Sequence, residues 1–386
     1  MSKLEELINE LCPDGVEYKA LEEVCSDFIV PMRDRPKVFD GNIPWCRIED
    51  KEGQFFNKSL IGLGVSEKTV KQMNLKIYPI GTVICSCSAS LGAYAINTQP
   101  LVTNQTFIGI VCGERLYNKY LLYYMETQTL KLVSLSNSGT IPYVSRKKFE
   151  ELTIPLPPLP VQREIVRILD NFTELTAELT AELTARKKQY TYYRDQLLTF
   201  EESEVGWKML GDVAIIGTGS RNTNEAILEG KYPFFVRSQE PRTINEYEFD
   251  ETAIITAGDG VGVGNVFHFV SEKYALHQRA YRIVVTDSGV LPKFLFHFIR
   301  NDFARYLKTT SVHASVTSLR KPMFEKYPVP IVSLPEQERI ISILDKFDAL
   351  TASITEGLPG EIELRQKQYE YYRNMLLTFP KEEVEV

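Results

Sequence analysis

Leu159-Pro-Val-Gln-Arg-Glu-Ile-Val-Arg-Ile-Leu-Asp-Asn-Phe172 returns 175 residues later as Leu334-Pro-Glu-Gln-Glu-Arg-Ile-Ile-Ser-Ile-Leu-Asp-Lys-Phe347. Arg186-Lys-Lys-Gln-Tyr-Thr-Tyr-Tyr-Arg-Asp-Gln-Leu-Leu-Thr-Phe200 returns 179 residues later as Arg365-Gln-Lys-Gln-Tyr-Glu-Tyr-Tyr-Arg-Asn-Met-Leu-Leu-Thr-Phe379. Chance does not produce such a repeat, and it makes the chain two copies of one plan. Apolar residues in the first copy step alternately by four and three: Ile165, Leu169, Phe172, Thr176, Leu179, Leu183, Arg186, Tyr190, Tyr193, Leu197, Phe200. Nine of these eleven positions are apolar or aromatic, the seam of a coiled-coil helix. Pro160 and Pro335 suit a first helical turn. The second copy keeps the seam at Ile340, Leu344, Phe347 and Ile354, and again at Tyr369, Tyr372, Leu376 and Phe379. Gly357-Leu-Pro-Gly360 lies between and should kink or break the helix.

Outward from the helices the correspondence fades but persists. Tyr18-Lys-Ala-Leu21 matches Trp207-Lys-Met-Leu210, and Gly41…Trp45 matches Gly230…Phe234. Gln105 matches Gln278, and Phe149-Glu150…Pro155 matches Phe324-Glu325…Pro330. The tail, Leu377-Thr-Phe…Glu383-Val384, mimics Leu198-Thr-Phe…Glu204-Val205, as if the first half were about to begin again. Gly81–Cys85 and Tyr281–Val285 read as strands, and Lys119–Leu132 and Pro292–Leu307 as helices, so each segment is mixed α/β. The expected fold is α+β with a pseudo-twofold internal repeat: domains 1–158 and 201–333, separated by long antiparallel coiled-coil helices 159–200 and 334–386. A helix from Ile165 to Phe200 would be about 54 Å long at about 1.5 Å per residue. Two domains at such a spacing suit two half-sites on one duplex, whose turn is about 34–36 Å.

Composition sets bounds on function. At 386 residues, 44% hydrophobic and 25% charged, the chain has room for two or three cores. It has no run of 18 apolar residues, and the N-terminus is acidic where a signal peptide is basic, so a cytoplasmic protein is expected. All six cysteines lie in the first 112 residues and all four histidines beyond residue 260, so no metal site is expected. The net charge of −7 is concentrated: residues 334–386 carry 6 bases against 11 acids. Residues 279–326 instead carry nine bases against three acids, a stretch suited to phosphate contact.

The order variable domain, conserved helix, variable domain, conserved helix resembles the specificity subunits of type I restriction–modification enzymes. The tandem Thr-Ala-Glu-Leu units in Leu175–Leu183, and Ile354-Thr-Glu-Gly-Leu-Pro…Glu361–Arg373, resemble the type IC group. The resemblance implies two target-recognition domains and binding to double-stranded DNA. It also implies two methyltransferase subunits that modify adenine in each half of a split sequence, and two restriction subunits with translocase and nuclease activity. S-adenosylmethionine, ATP and Mg would belong to those partners, with no cofactor in this chain.

The residues agree with a non-catalytic role. No Asn-Pro-Pro-Tyr or Asp-Pro-Pro-Tyr motif is present to hold a flipped adenine, and no G-x-x-x-x-G-K-[ST] loop to hold a nucleotide. Gly258-Asp-Gly-Val-Gly-Val-Gly264 fails G-x-G-x-x-G and reads as a loop approaching DNA. Candidate DNA contacts are loops at equivalent places in the two halves. The first pair is Ser86, Ser88 and Ser90 with Thr256, Gly258, Asp259 and Gly260. The second is Asn104 and Gln105 with His277, Gln278 and Arg279. The third is Ser138 and Thr140 with His313 and Ser315, followed by the clusters Arg146-Lys147-Lys148 and Arg320-Lys321. Arg33, Arg35, Arg47, Arg221 and Arg237 complete the set. Gln and Asn can read adenine, Arg can read guanine, and small polar or basic groups suit phosphate. Two other classes of function remain open: a free-standing methyltransferase, and a coiled-coil scaffold whose ends bind proteins. Methyl transfer without a partner would mark the first, and failure to bind duplex DNA the second.

Overall fold

A computed structural model describes residues 2–136, 142–201, 203–260, 262–310, 318–353 and 355–380. The chain divides into two compact units, one of residues 1–178 and 363–386, the other of residues 179–362.

In the first unit the central strands run in the order Cys25–Ile29, Phe107–Cys112, Val83–Ser86, Tyr94–Asn97 and continue into Phe55–Phe56 and Lys51–Glu52. A smaller sheet pairs Gly64–Val65 with Ile43–Cys46 and, in parallel, Val102–Thr103. In the second unit the same order returns as Ala214–Thr218, Ala280–Val285, Ala253–Ala257, Phe267–Val270. Its smaller sheet places Tyr232–Phe235 between Arg242–Ile244 and a parallel Lys273–Leu276. Val83–Ser86 and Ala253–Ala257 are buried at every position, as suits mainly apolar strands covered on both faces; the polar Ser86 and Thr256 are hydrogen-bonded within. A helix packs beside each sheet: Asn118–Thr127, which ends at Gln128 before Thr129–Leu135, and the unbroken Pro292–Thr310.

The first spacer is one helix of 39 residues, Leu159–Leu197, about 58 Å at about 1.5 Å per residue. Ile165 and Leu169 are buried. Beyond them Phe172, Thr176, Leu179, Leu183, Arg186 and Tyr190 are half-covered and most of their neighbours exposed, as a seam requires, while Tyr193 is exposed. The second spacer is two helices, Leu334–Ala352 and Leu358–Leu376; the break ends at Gly357, and Leu358, Pro359 and Gly360 form the first turn of the second helix. A side chain on Gly357 would lie 2.5 Å from the Ala349 carbonyl oxygen, so the junction is too close for any other residue. Ile354 and the Glu383-Val384 tail lie outside the described residues.

Each unit joins one repeat's leading segment to the other repeat's trailing segment. In the first unit Phe172 stacks on Tyr372 at 5.4 Å, and in the second Phe347, the copy of Phe172, stacks on Tyr193, the copy of Tyr372, at 6.0 Å. Leu377 and Phe379 are buried in the first unit's core as Leu198 and Phe200 pack into the second's. Tyr18 Oη donates to the Phe379 carbonyl at 2.9 Å.

One buried glutamine seats each spacer on its domain. Gln162 and Gln337 are fully buried. Gln162 accepts from the Tyr117 N–H (2.8 Å) and donates to the carbonyls of Arg115 (2.9 Å) and Pro157 (2.7 Å). Gln337 repeats this with Leu291 (2.7 Å), Gly289 (2.8 Å) and Val332 (2.9 Å). Two turns on, Asp170 takes Lys119 and Tyr123, each at 2.6 Å, while Asp345 takes Lys293 at 3.6 Å and His297 at 2.8 Å.

Candidate nucleic-acid interface

The turn that leads from the parallel strand of the smaller sheet into the central sheet carries the strongest candidates in both units. In the first unit it follows Val102–Thr103 and exposes Gln105; in the second it follows Lys273–Leu276 and exposes Gln278 and Arg279. Main-chain bonds fix the same frame in both. Cys87 N–H donates to Thr106 O (2.8 Å) and Val144 N–H to Cys87 O (2.8 Å). Gly258 N–H donates to Arg279 O (2.9 Å) and Leu319 N–H to Gly258 O (2.7 Å). The bridges Ser88–Tyr143 and Asp259–Ser318 complete the match, so Ser88 corresponds to Asp259 and Thr106 to Arg279.

In the first unit the fold gathers Arg33, Arg35, Arg47, Asn104 and Gln105 around a cavity of about 260 Å³ with Met32, Asp34, Trp45 and Thr103. The Arg35 guanidinium lies 5.1 Å from the Trp45 ring centre. The buried Asp50 carboxylate accepts from Arg47 N–H (2.8 Å) and Leu60 N–H (2.6 Å), anchoring the segment that carries Arg47. Asn104 is partly committed: its Oδ1 accepts the Thr106 hydroxyl at 2.6 Å. Gln105 is exposed.

In the second unit Gly258, Asp259, Gln278 and Arg279 line a cavity of about 350 Å³ with Tyr281, Ser318 and Leu319. Arg237 Nη1 donates to one Asp259 oxygen at 2.7 Å and Arg279 Nη1 to the other at 3.1 Å. Burial opposes the ionised Asp259, but the bonds and charges of Arg237 and Arg279 outweigh it and hold its pKa below the usual carboxylate value. Gln278 Nε2 donates to Asn222 Oδ1 at 2.6 Å. Gly258 has no room for a side chain, since a Cβ would meet Arg279 O at 2.5 Å, and Gly260 takes a φ of +80°.

Other candidates are placed differently. Ser86 and Thr256 lie inside the sheets, where their hydroxyls donate to Ser88 O (3.0 Å) and Val266 O (2.9 Å). His277 is buried and its Nδ1 accepts the Arg279 N–H at 3.0 Å; burial, then Arg237, lowers its pKa. These three build the loops from within and leave the set of outward-facing residues. Arg221 is held by Glu225 (3.1 Å) and Glu246 (2.7 Å). Arg146 pairs with Glu150 at 2.6 Å and lines a separate groove with Asp27 and Lys76; Lys148 donates to the Leu135 carbonyl. Lys147 and Lys321 face solvent beside Glu151 and Glu325, Arg320 is exposed, and Ser88 and Ser90 lie half-exposed and exposed. Ser138, Thr140, His313 and Ser315 lie outside the described residues. The basic stretch 279–326 is largely consumed internally: Arg279, Arg282, Lys293, Arg300, Arg305 and Lys321 each pair with an acid. Six of its nine bases are thus paired within the chain, which leaves fewer free for phosphate than the local charge suggested. Asn222, which orients Gln278, was missed, although it adjoins Arg221 in a polar run.

Comparison with known proteins decides what this pair of frames belongs to. The family described as the type I restriction modification DNA specificity domain matches residues 13–186 and again 202–364. The chain belongs to this family. A type I restriction enzyme specificity subunit of Escherichia coli is 39% identical over 69% of this chain and 72% of its own length. A putative one of Haemophilus influenzae is 35% identical over 94% of this chain and 96% of its own. The fold is that of a specificity subunit from M. genitalium, with a TM-score of 0.57 at 15% identity over 94% of this chain and 95% of that one. A chain from a study of type I restriction–modification complex assembly superposes with a TM-score of 0.60 at 18% identity, over 95% and 98%. Membership makes this chain a DNA sequence-specificity subunit and not a catalytic one. Among the described residues no cluster could hold a metal ion, and no helix is long and apolar enough to cross a membrane.

Proposed function

We propose that residues 1–158 and 201–333 are two target-recognition domains, each reading one half of a bipartite DNA sequence. The observation that supports this best is one main-chain frame used twice, presenting Gln105 among Arg33, Arg35 and Arg47 in one unit and Gln278 with Arg279 in the other. Glutamine can bond adenine bidentately and arginine guanine, so the two tips suit different half-sites. Adenine methylation would be carried out by two methyltransferase subunits supplying S-adenosylmethionine, and cleavage by two restriction subunits. Tyr192 and its copy Tyr371 are 59% and 65% exposed on the spacers and suit two equivalent methyltransferase docking faces. Arg373, by contrast, is turned inward onto Glu126 at 3.4 Å and does not contribute. The test is methylation-sensitive sequencing of DNA from cells carrying the complete system, before and after residues 1–158 are exchanged for the equivalent domain of a relative. One half of the methylated sequence should change and the other stay. Change in both halves would end the modular reading.

A further inference from the structure

Arg279 is 63% exposed, yet it is fixed at three points. Its N–H is held by His277 Nδ1 (3.0 Å), its carbonyl by Gly258 N–H (2.9 Å), and its guanidinium by Asp259 (3.1 Å), which Arg237 anchors from the other side (2.7 Å). An exposed arginine ordinarily samples many rotamers, and ordering it opposes binding. Here the ordering is built into the free protein, as a reading side chain requires.

We propose that Arg279 reads a guanine in the half-site of the second domain, taking its O6 and N7 acceptors in the major groove, with Asp259 and Arg237 as positioning residues. The inference rests on the reading of the two domains as target-recognition domains. Charge distinguishes a base edge from a phosphate at this place. A phosphate bound to Arg279 would come close to the ionised Asp259 carboxylate, which repels it; the neutral acceptors of guanine carry no such penalty. The constellation belongs to the second unit alone. Ser88 and Thr106 occupy the places of Asp259 and Arg279 in the first unit and carry no charge. The guanine requirement should therefore fall in one half-site and not at the equivalent position of the other.

The test uses the complex with its methyltransferase partners and duplexes in which each guanine of the target is replaced, one at a time, by 7-deazaguanine, which lacks the N7 acceptor. One replacement in the second half-site should weaken wild-type binding by about 5- to 150-fold, the equivalent of about 1–3 kcal/mol. Arg279→Gln should be indifferent to that replacement and no longer require a G·C pair there, with the first half-site unchanged. Asp259→Asn should lower discrimination at that same position only. A second half-site without a G·C pair would overturn the proposal. So would an Arg279→Gln complex weakened equally on every duplex with a salt slope reduced by about one, the mark of a phosphate contact. A wild-type complex with no sequence preference at all would instead defeat the underlying reading of the domains.

Discussion

Replacing Gln162 by Met keeps most of the side-chain volume and removes every hydrogen bond, which isolates the polar contribution of the seat between spacer and domain. The loss leaves one N–H, of Tyr117, and two carbonyls, of Arg115 and Pro157, without their partner in a fully buried place. An unmet buried group costs about 1–3 kcal/mol, and the two carbonyls recover part through their second lone pairs or an entering water. The expected destabilisation is about 3 kcal/mol. For a unit of roughly 200 residues each kcal/mol lowers the melting temperature by about 2–4 °C, so a fall of about 6–12 °C is expected. Gln337→Met should do the same to the second unit, because it too bonds one main-chain N–H and two carbonyls, at lengths within 0.1–0.2 Å of those of Gln162. Calorimetry gives the size, and hydrogen exchange followed by mass spectrometry gives the place. The amide of Tyr117 should lose protection in the first variant and that of Leu291 in the second. If Gln162→Met melts within about 1 °C of wild type and Tyr117 keeps its protection, the glutamine does not seat the helix and the reasoning fails.

Three further outcomes follow from particular contacts. His297 is kept neutral mainly by burial, with Asp345 opposing, so its pKa is lowered. The unfolded chain takes up the proton near pH 6.5 while the folded one does not, so this contribution is complete above that pH and is lost as pH falls below it, by at most about 1.4 kcal/mol per pH unit. The first unit has no histidine, so hydrogen exchange at pH 5.5 against 7.5 should show opening in the second unit alone. His297→Tyr, the residue at the equivalent Tyr123, should reduce that response. Glu126→Arg should destabilise the first unit by about 2–3 kcal/mol, since Tyr369 Oη (2.6 Å) and Arg373 (3.4 Å) both bond Glu126. Adding Arg373→Glu should restore more than 1 kcal/mol in a double-mutant cycle measured by chemical denaturation. A third Thr-Ala-Glu-Leu unit inserted after Leu183 lengthens the helix by about 6 Å, with a rotation of about 40° beyond a full turn. Sequencing of methylated sites should show both half-sites unchanged and the gap wider by one or two base pairs of about 3.4 Å.

The helices were legible because their constraint is local and periodic. A seam that must cover Phe172 with Tyr372 repeats every three or four residues, and the break before Leu358 is written in Gly357 and Pro359, residue types that interrupt a helix or suit its first turn. The tips were legible only as loops. Adjacent residues at a strand end can face opposite ways, and nothing in the identity of Ser86 or Thr256 says that each is buried within its sheet. His277 is inward and Gln278 outward for the same reason. Local charge misled because the partners are distant in sequence: Arg282 meets Glu251, and Arg300 meets Asp348, 31 and 48 residues away. Counting bases in a window cannot see those acids.

The two units diverge in an ordered way, and the order bears on how one scaffold can serve two half-sites. Gln162 and Gln337, and Asp170 and Asp345, are identical where spacer meets domain. Tyr123 becomes His297 and Glu126 becomes Arg300 one layer further out, with Arg300 turning to Asp348 (3.1 Å) in place of the partners Glu126 has. At the tip Ser88 and Thr106 become Asp259 and Arg279. The tip tolerates this because its frame is made by main-chain bonds, Cys87 to Thr106 and Val144 in one unit and Gly258 to Arg279 and Leu319 in the other. Such bonds do not depend on which side chain each residue carries. A substitution at the tip therefore changes the donors and acceptors offered outward while leaving the strand ends in place. A substitution at the seat would instead tilt a whole domain on its helix and disturb both recognition and spacing together. On this argument new specificity should arise at positions such as 88, 105, 259 and 279, and the seat residues should admit little change.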